Sequence, residues 1–257
     1  MIKIIKKIFW FPFNSKNRIN DLQSQIRLSE WQSFSDFIKS ESLFLDVGCG
    51  AGHNLSLAQK LKNCEVKGID PNPGDHGVGR YNFDKESSLE IIQGFAENLP
   101  FKNNSYDIVF CSHVLEHVDD ERKSLSEINR VLKEDGIAII GMPTATMAII
   151  NLFSSYLFTT HSNILFTIKS IGKNDFFSRL KTVFVPASHS DPRASSIFYD
   201  INHYRVKKWK RLVDQEFEII ETIQPLLYPY PDYIQLFKMH KSKIGSSSVF
   251  FICKKKK

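Results

Sequence analysis

The chain has 257 residues, 42% hydrophobic and 24% charged, which supplies apolar material for a full core and excludes a disordered or fibrous protein. Its formal charge of +6 suggests a nucleic-acid partner until it is resolved along the chain: residues 1–18 carry five basic residues and no acid, residues 238–257 carry seven lysines and no acid, and the body between them is −6. Cys49, Cys64, Cys111 and Cys253 lack CxxC spacing, which argues against a disulfide framework or a zinc site and makes a reducing, cytoplasmic compartment the expectation.

The opening MIKIIKKIFWFPF has the flavour of an export signal, but Lys3, Lys6 and Lys7 interrupt its apolar residues and no small-residue cleavage site follows. It reads either as a short interfacial anchor on an anionic membrane face or as a plain packing segment. Residues 19–40 place Leu22, Ile26, Leu28, Trp31, Phe34, Phe37 and Ile38 at helical spacing, so residues 1–40 are expected to be a basic, amphipathic helical segment ahead of a domain at 41–257. Strands are expected at 43–47, 65–70, 89–94, 106–113 and 136–143. A helix is expected after the first, and another over 119–136, acidic at its start and closed by Lys133 and Gly136.

Residues 144–200 break this alternation. From Gly136 to Ile168 there is no Asp, Glu, Lys or Arg, yet a membrane span is rejected because the fifth strand uses the first eight residues, Pro143 ends it, and polar residues crowd the remainder. A cap inserted after strand five, about 144–200, fits better. One helix over 202–215, a strand from Phe217 and a last strand at 246–253 complete the pattern. The fold expected is α/β, Rossmann-like and doubly wound, with a mainly parallel seven-stranded sheet and an antiparallel last strand.

The chemistry concentrates at Asp46-Val47-Gly48-Cys49-Gly50-Ala51-Gly52, between the first strand and its helix. Glycines at alternate positions let the backbone approach a ligand that side chains would obstruct. A dinucleotide site needs a third glycine where His53 stands, so that fingerprint fails, and the loop suits a ligand without phosphates.

With these residues in view, the chain resembles class I S-adenosylmethionine-dependent methyltransferases of the small-molecule type. The resemblance runs through LDVGCGAG, through Gly68-Ile69-Asp70, through Ala96-Glu97-Asn98-Leu99-Pro100-Phe101 with Ser105-Tyr106-Asp107-Ile108-Val109, and through Val114-Leu115-Glu116-His117 with Glu127 to Lys133, in family order over residues 43–143. It implies a cofactor site of Asp46, Gly48, Cys49, Gly50, Gly52, Asp70, Pro71, Ala96, Glu97 and Ser112. Asp70 would accept hydrogen bonds from the ribose hydroxyls, Asp46 would order the loop and the methionine end, and Ala96 would offer its N–H near adenine. Many relatives place an acid before that alanine. Phe95 stands here instead, so either Phe95 packs on adenine or Glu97 supplies the polar contact.

Methyl transfer from a sulfonium asks the protein for alignment and exclusion of water, not for a nucleophile. A hydroxyl acceptor would be helped by a base, for which His113, at the end of strand four, is the candidate; His117, His203 and Tyr204 are alternatives with structural readings of their own. His161, His189 and Asp191 lack metal-ligand spacing, so no metal is expected. Aromatics over 225–233 read as core or lid, with a pocket wall as the alternative.

The acceptor expected is a small molecule, lipid-linked or a saccharide, because the uncharged cap lies where relatives place acceptor-selecting insertions. Nucleic acid is disfavoured: Ser112-His113-Val114-Leu115 replaces the Asn/Asp-Pro-Pro-aromatic turn of amino-methylating DNA enzymes, no cysteine follows proline, and the body is acidic. A noncatalytic, membrane-associated scaffold of the same fold is the third reading, against which the intact glycines and Asp70 argue.

Overall fold

The structure of the protein, a computed structural model, describes residues 16–75, 77–78, 89–158, 167–168, 171–172, 177, 180, 196–228 and 245–256. The chain begins with α1 (Lys16–Phe34) and a 3-10 turn (Ser35–Phe37), then alternates β1 (Leu43–Val47), α2 (His53–Lys62), β2 (Glu65–Asp70), β3 (Glu90–Gln93), β4 (Tyr106–Ser112), α3 (Glu121–Val131) and β5 (Leu132–Pro143). After these come α4 (Ala145–Phe158), α5 (Ile197–His203), α6 (Val206–Glu216), β6 (Phe217–Ile223) and β7 (Ser248–Lys255).

The strands form one sheet in the order β3-β2-β1-β4-β5-β7-β6. Pairings from β3 to β5 are parallel, and β7 runs antiparallel to both β5 and β6. β2 and β3 leave β1 on one side while β4 and β5 leave it on the other, so the order reverses between β1 and β4. Ligands of open α/β sheets bind in the crevice that such a reversal opens at the carboxyl ends of the strands.

The period of two in each strand divides the core between two faces. Leu45, Val47, Val109, Cys111, Ala138, Ile140, Met142, Val249, Phe251 and Cys253 point to the face covered by Leu125, Ile128 and Val131 of α3 and Trp209 and Val213 of α6. Phe44, Ile108, Phe110, Ile139, Phe250 and Ile252 point to the face covered by Trp31 and Phe34 of α1 and Leu55 and Ala58 of α2. There the aromatic rings interlock, with Phe34 and Phe250 centroids 4.8 Å apart and Trp31 and Phe44 5.9 Å apart. α1 thus shares the central core of the sheet.

Three local expectations are corrected. The helix expected to reach Gly136 stops at Val131, because Leu132 is wholly buried as the first residue of β5, in extended conformation, and pairs with Tyr106. The single helix expected over 202–215 is two: Tyr204 closes α5 through its N–H to Asp200 O, and extended Arg205 separates it from α6. Tyr204 and Trp209 are both buried, and Trp209 Nε1 donates to Pro143 O at 2.9 Å, so the chain turns to seat both rings. At the basic C-terminus, Lys254 and Lys255 belong to β7, and Lys255 Nζ reaches Glu134 at 3.1 Å and Asn104 at 2.6 Å. All four cysteines are buried free thiols.

Among the described residues, no helix is long and apolar enough to cross a membrane. The segment rejected as a span forms the end of β5 followed by the 14-residue α4. Residues 1–13, most of the expected cap, His161, His189, Asp191 and residues 229–244 lie outside the described residues. No group of three or more metal-ligating side chains occurs among the described residues.

Candidate active site

The loop after β1 is folded by backbone geometry that glycine supplies. Gly48, Gly50 and Gly52 have φ of 75°, 55° and 78°, and a Cβ built on Gly48 would lie 2.2 Å from Val114 Cγ2. Gly48 N and Cys49 N both donate to Ile69 O, which ties the loop to the end of β2. Asp70, the last residue of β2, fastens it further. Its Oδ2 accepts from Gly50 N–H at 2.7 Å and its Oδ1 from Asn72 N–H at 2.8 Å. The expected ribose carboxylate therefore also holds the glycine loop in place.

Beside this loop is a cavity of about 660 Å³. Of the residues anticipated from sequence, Gly48, Cys49, Gly50, Asp70, Pro71, Ala96, Glu97, Ser112 and His113 line it together. Asp46 and Gly52 are not among its lining residues: Asp46 is buried under the loop, and Gly52 is the N-cap of α2. Phe95 also lines the cavity and is 64% exposed, while Glu97 Oε1 accepts from Asp119 N–H at 3.1 Å.

The 94–103 stretch is carried by α3. Arg130 grips Glu127 with two nitrogens at 2.7 Å each and also donates to Phe101 O and Leu99 O, while Glu127 accepts from Leu99 N–H. This bidentate pair ties the sequence blocks at 96–101 and 127–133 to each other: the second holds the first.

Electrostatically the floor is unusual. Burial and the neighbouring Asp70 push the Asp46 carboxyl up to about 8, although Asn54 donates to it, and Asp46 Oδ2 has no hydrogen-bond partner among the described residues. Burial, then Arg27 and Lys60, pushes His53 down to about 4, so the imidazole on the cavity wall is neutral. Burial raises the Cys49 thiol, with Asp46 and Asp70 adding to it, so this cysteine is not a thiolate nucleophile.

Facing the loop is a wall that the sequence left largely unread. His113 sits in left-handed backbone (φ 57°) with its N–H on Gly141 O. Its Nδ1 lies 3.4 Å from Glu116 and its Nε2 2.9 Å from Ser248 Oγ, so both ring nitrogens face protein partners. From Ser248 the chain of contacts continues to Tyr228 Oη at 2.7 Å, from Tyr228 to Glu30 at 2.6 Å, and from Glu30 to Arg27 at 2.6 Å. Burial opposes ionisation of Glu30, but Arg27, His113 and the hydroxyls of Tyr228 and Ser248 outweigh it and hold the carboxyl below its usual range. Glu116 follows the same pattern: burial opposes, and His113, with His117 assisting, prevails.

Gln23, Ile26 and Arg27 of α1 and His53 and Asn54 of α2 are among the cavity residues that sequence reasoning missed as site members, while Tyr228 takes the pocket-wall place given as the alternative for the aromatics over 225–233. The available signal was the polar series Gln23, Arg27, Glu30 on one stripe of an otherwise amphipathic helix. Of the alternatives to His113, His117 lines the cavity, whereas His203 pairs with Glu121 at 3.0 Å and Tyr204 is packed in the core, neither at the cavity.

Residues 45–140 match the methyltransferase domain family. The chain is 34% identical over 110 residues to the ubiquinone/menaquinone biosynthesis C-methyltransferase UbiE of Campylobacter jejuni, covering 40% of this chain and 46% of that protein. It is 36% identical over 104 residues to a demethylmenaquinone methyltransferase of Staphylococcus saprophyticus, covering 40% and 45%. The matched region thus spans about half the length of these curated relatives. A SAM-dependent methyltransferase structure from Thermotoga maritima superposes with TM-score 0.55 at 17% identity, covering 93% of this chain and 94% of that one. One from Aquifex aeolicus superposes with TM-score 0.52 at 13% identity, covering 93% and 98%.

Proposed function

We propose that this chain, whose residues 45–140 match the methyltransferase domain family, is a class I S-adenosylmethionine-dependent methyltransferase that binds that donor across its glycine loop and methylates a small-molecule or lipid-linked acceptor, a saccharide among the candidates. The observation that carries the reading is the cavity itself: nine anticipated residues, from the ends of three strands and the 94–97 turn, converge on one space. The residues fit an adenosyl ligand without phosphates. A Cβ at Gly48 would collide with Val114, the Asp70 carboxylate lines the cavity at the strand end, and His53 occupies the place where a dinucleotide loop needs glycine.

In this reading Asp70 holds the ribose hydroxyls, with Pro71 shaping the turn beside it. Ala96 offers its N–H at the adenine, Phe95 lies against the adenine face, and Glu97 orders the turn through Asp119. Gly48, Cys49 and Gly50 pass beneath the donor, Gly52 opens the following helix, Asp46 supports the loop from below, and Ser112 lies at the β4 end of the site. When bound, the sulfonium supplies an electrophilic methyl, so the protein needs no nucleophile of its own. Its own task is to aim an acceptor lone pair and keep water out. Ile26, Val114 and Val118 give the acceptor side apolar surface. His113, with both nitrogens engaged, is assigned to shaping that side of the site. The similarity to relatives named as quinone-methylating enzymes supports a small-molecule or lipid-type acceptor.

Calorimetric titration with S-adenosylmethionine tests the donor site. Binding by wild type, weakened about tenfold or more by Asp70→Ala, is expected, since two charge-assisted hydrogen bonds are lost. No binding by wild type would favour the noncatalytic scaffold. Methyl transfer from labelled donor into a cell extract separated into lipid, small-molecule, protein and nucleic-acid fractions then identifies the acceptor class; label in nucleic acid alone would reject the reading.

Peripheral contact with an anionic membrane is part of the same proposal. It is supported by the lysine-rich, Ile/Phe/Trp-bearing opening sequence and by Ile149 and Phe153, exposed one turn apart on α4. Sedimentation with anionic liposomes, with and without residues 1–13, tests it: equal binding of both forms would remove the N-terminal anchor.

A further inference from the structure

Arg27 is set into the cavity wall with its side chain 27% exposed, and it spends only part of its hydrogen-bonding capacity on the protein. Its Nη1 donates to Glu30 at 2.6 Å. Glu30 is 2% exposed, and its other oxygen is held by Tyr228, so the guanidinium is pinned from behind by a carboxylate that is itself pinned. Nε and Nη2, which lie on the other edge of the same planar group, make no hydrogen bond among the described residues. A guanidinium presents two parallel N–H groups on that edge, which match the two oxygens of a carboxylate.

The surroundings place Arg27 near the loop after β1. Arg27 is close enough to Asp46 and to His53 to influence the protonation of both. One turn earlier on the same helix, Gln23 lines the wall as well. The Glu30 charge offsets that of Arg27, so what remains is a directional pair of donors more than a diffuse positive field.

We propose that the Nε–Nη2 edge of Arg27 is the carboxylate-binding element of this cavity, receiving a ligand carboxylate side-on while Glu30 and Tyr228 hold the guanidinium in place. The inference rests on the reading of the cavity as a donor site. Two ligands can bring that carboxylate: the amino-acid end of the S-adenosyl donor, or an acidic acceptor lying beside it.

Calorimetry on the full chain distinguishes these sources. S-adenosylhomocysteine and 5′-methylthioadenosine share an adenosyl thioether, and only the first carries a carboxylate. If the donor is the source, Arg27→Gln weakens S-adenosylhomocysteine binding roughly 10- to 100-fold, the worth of a charge-assisted bidentate contact, and leaves 5′-methylthioadenosine binding unchanged. Arg27→Lys, which keeps the charge and loses the fork, falls between. Because Arg27→Gln leaves Glu30 buried without its cation, the double variant Arg27→Gln/Glu30→Gln is measured alongside and gives the same ratio between the two ligands.

If instead the acceptor is the source, both variants bind S-adenosylhomocysteine as wild type does, and benzoate titrated into the S-adenosylhomocysteine-saturated protein binds wild type but not Arg27→Gln. Equal behaviour of wild type and variants toward both carboxylates, with 5′-methylthioadenosine still bound, overturns the inference. Wild type binding neither adenosyl ligand removes the donor reading and this inference with it.

Discussion

Asp46 and Asp70 are buried carboxyls at the ends of neighbouring strands, yet their surroundings differ. Asp70 is met by two backbone N–H groups, whereas Asp46 has one oxygen without a partner and a second acid nearby. Raised to about 8, Asp46 is a group whose stabilising protonation is fully present below the ordinary carboxyl range and is lost as pH climbs through 8. Asp46→Asn, which keeps the shape and removes the charge, should therefore raise the urea midpoint relative to wild type most at pH 8. The gap should close toward pH 4. A midpoint difference independent of pH would show that Asp46 is not perturbed.

On the scale of elements, the site depends on two turns that clasp each other. Gly48 lies in the left-handed region and abuts Val114, which follows His113 in the turn after β4. Gly48→Ala adds both backbone strain and a collision, and should cost about 2–4 kcal/mol and most of the S-adenosylmethionine affinity. Val114→Ala in the same chain relieves the collision but not the strain, so thermal stability should recover in part. Full recovery would mean that the left-handed backbone is not needed. The 94–103 stretch depends in the same way on α3, because Arg130 and Glu127 hold its backbone. A motif on a helix thus supports a loop about 30 residues earlier.

For the molecule as a whole, α1 is the element whose placement matters most. Its Trp31 and Phe34 enter the aromatic layer over Phe44, Phe110 and Phe250, while its Gln23, Ile26 and Arg27 line the cavity. Trp31→Ala should therefore destabilise the protein by about 3–5 kcal/mol and also weaken S-adenosylhomocysteine binding, since it loosens the helix that carries Arg27. Calorimetry and thermal melting read the two effects together. A variant that melts like wild type would make α1 an appendage.

The sheet and the residues gathered around the glycine loop were legible in the sequence because both are written locally. A short apolar run, buried on both faces, marks strands such as Leu43–Val47, and the glycines with Asp70 lie within 22 residues of one another. The end of α3 at Val131 and the break at Tyr204 were not legible, because what stops each helix is burial of Leu132, Tyr204 and Trp209 against distant parts of the core. The wall facing the loop was further still from view. Tyr228 meets Glu30 across 198 residues of chain, and His113 meets Ser248 across 135. No periodicity or spacing connects such pairs. The sequence by itself determined a doubly wound sheet with a glycine loop at the end of its first strand. Only the packing of α1 and β7 on that sheet decided which side chains confront the loop, because contacts between segments so far apart arise from tertiary burial and not from local propensity.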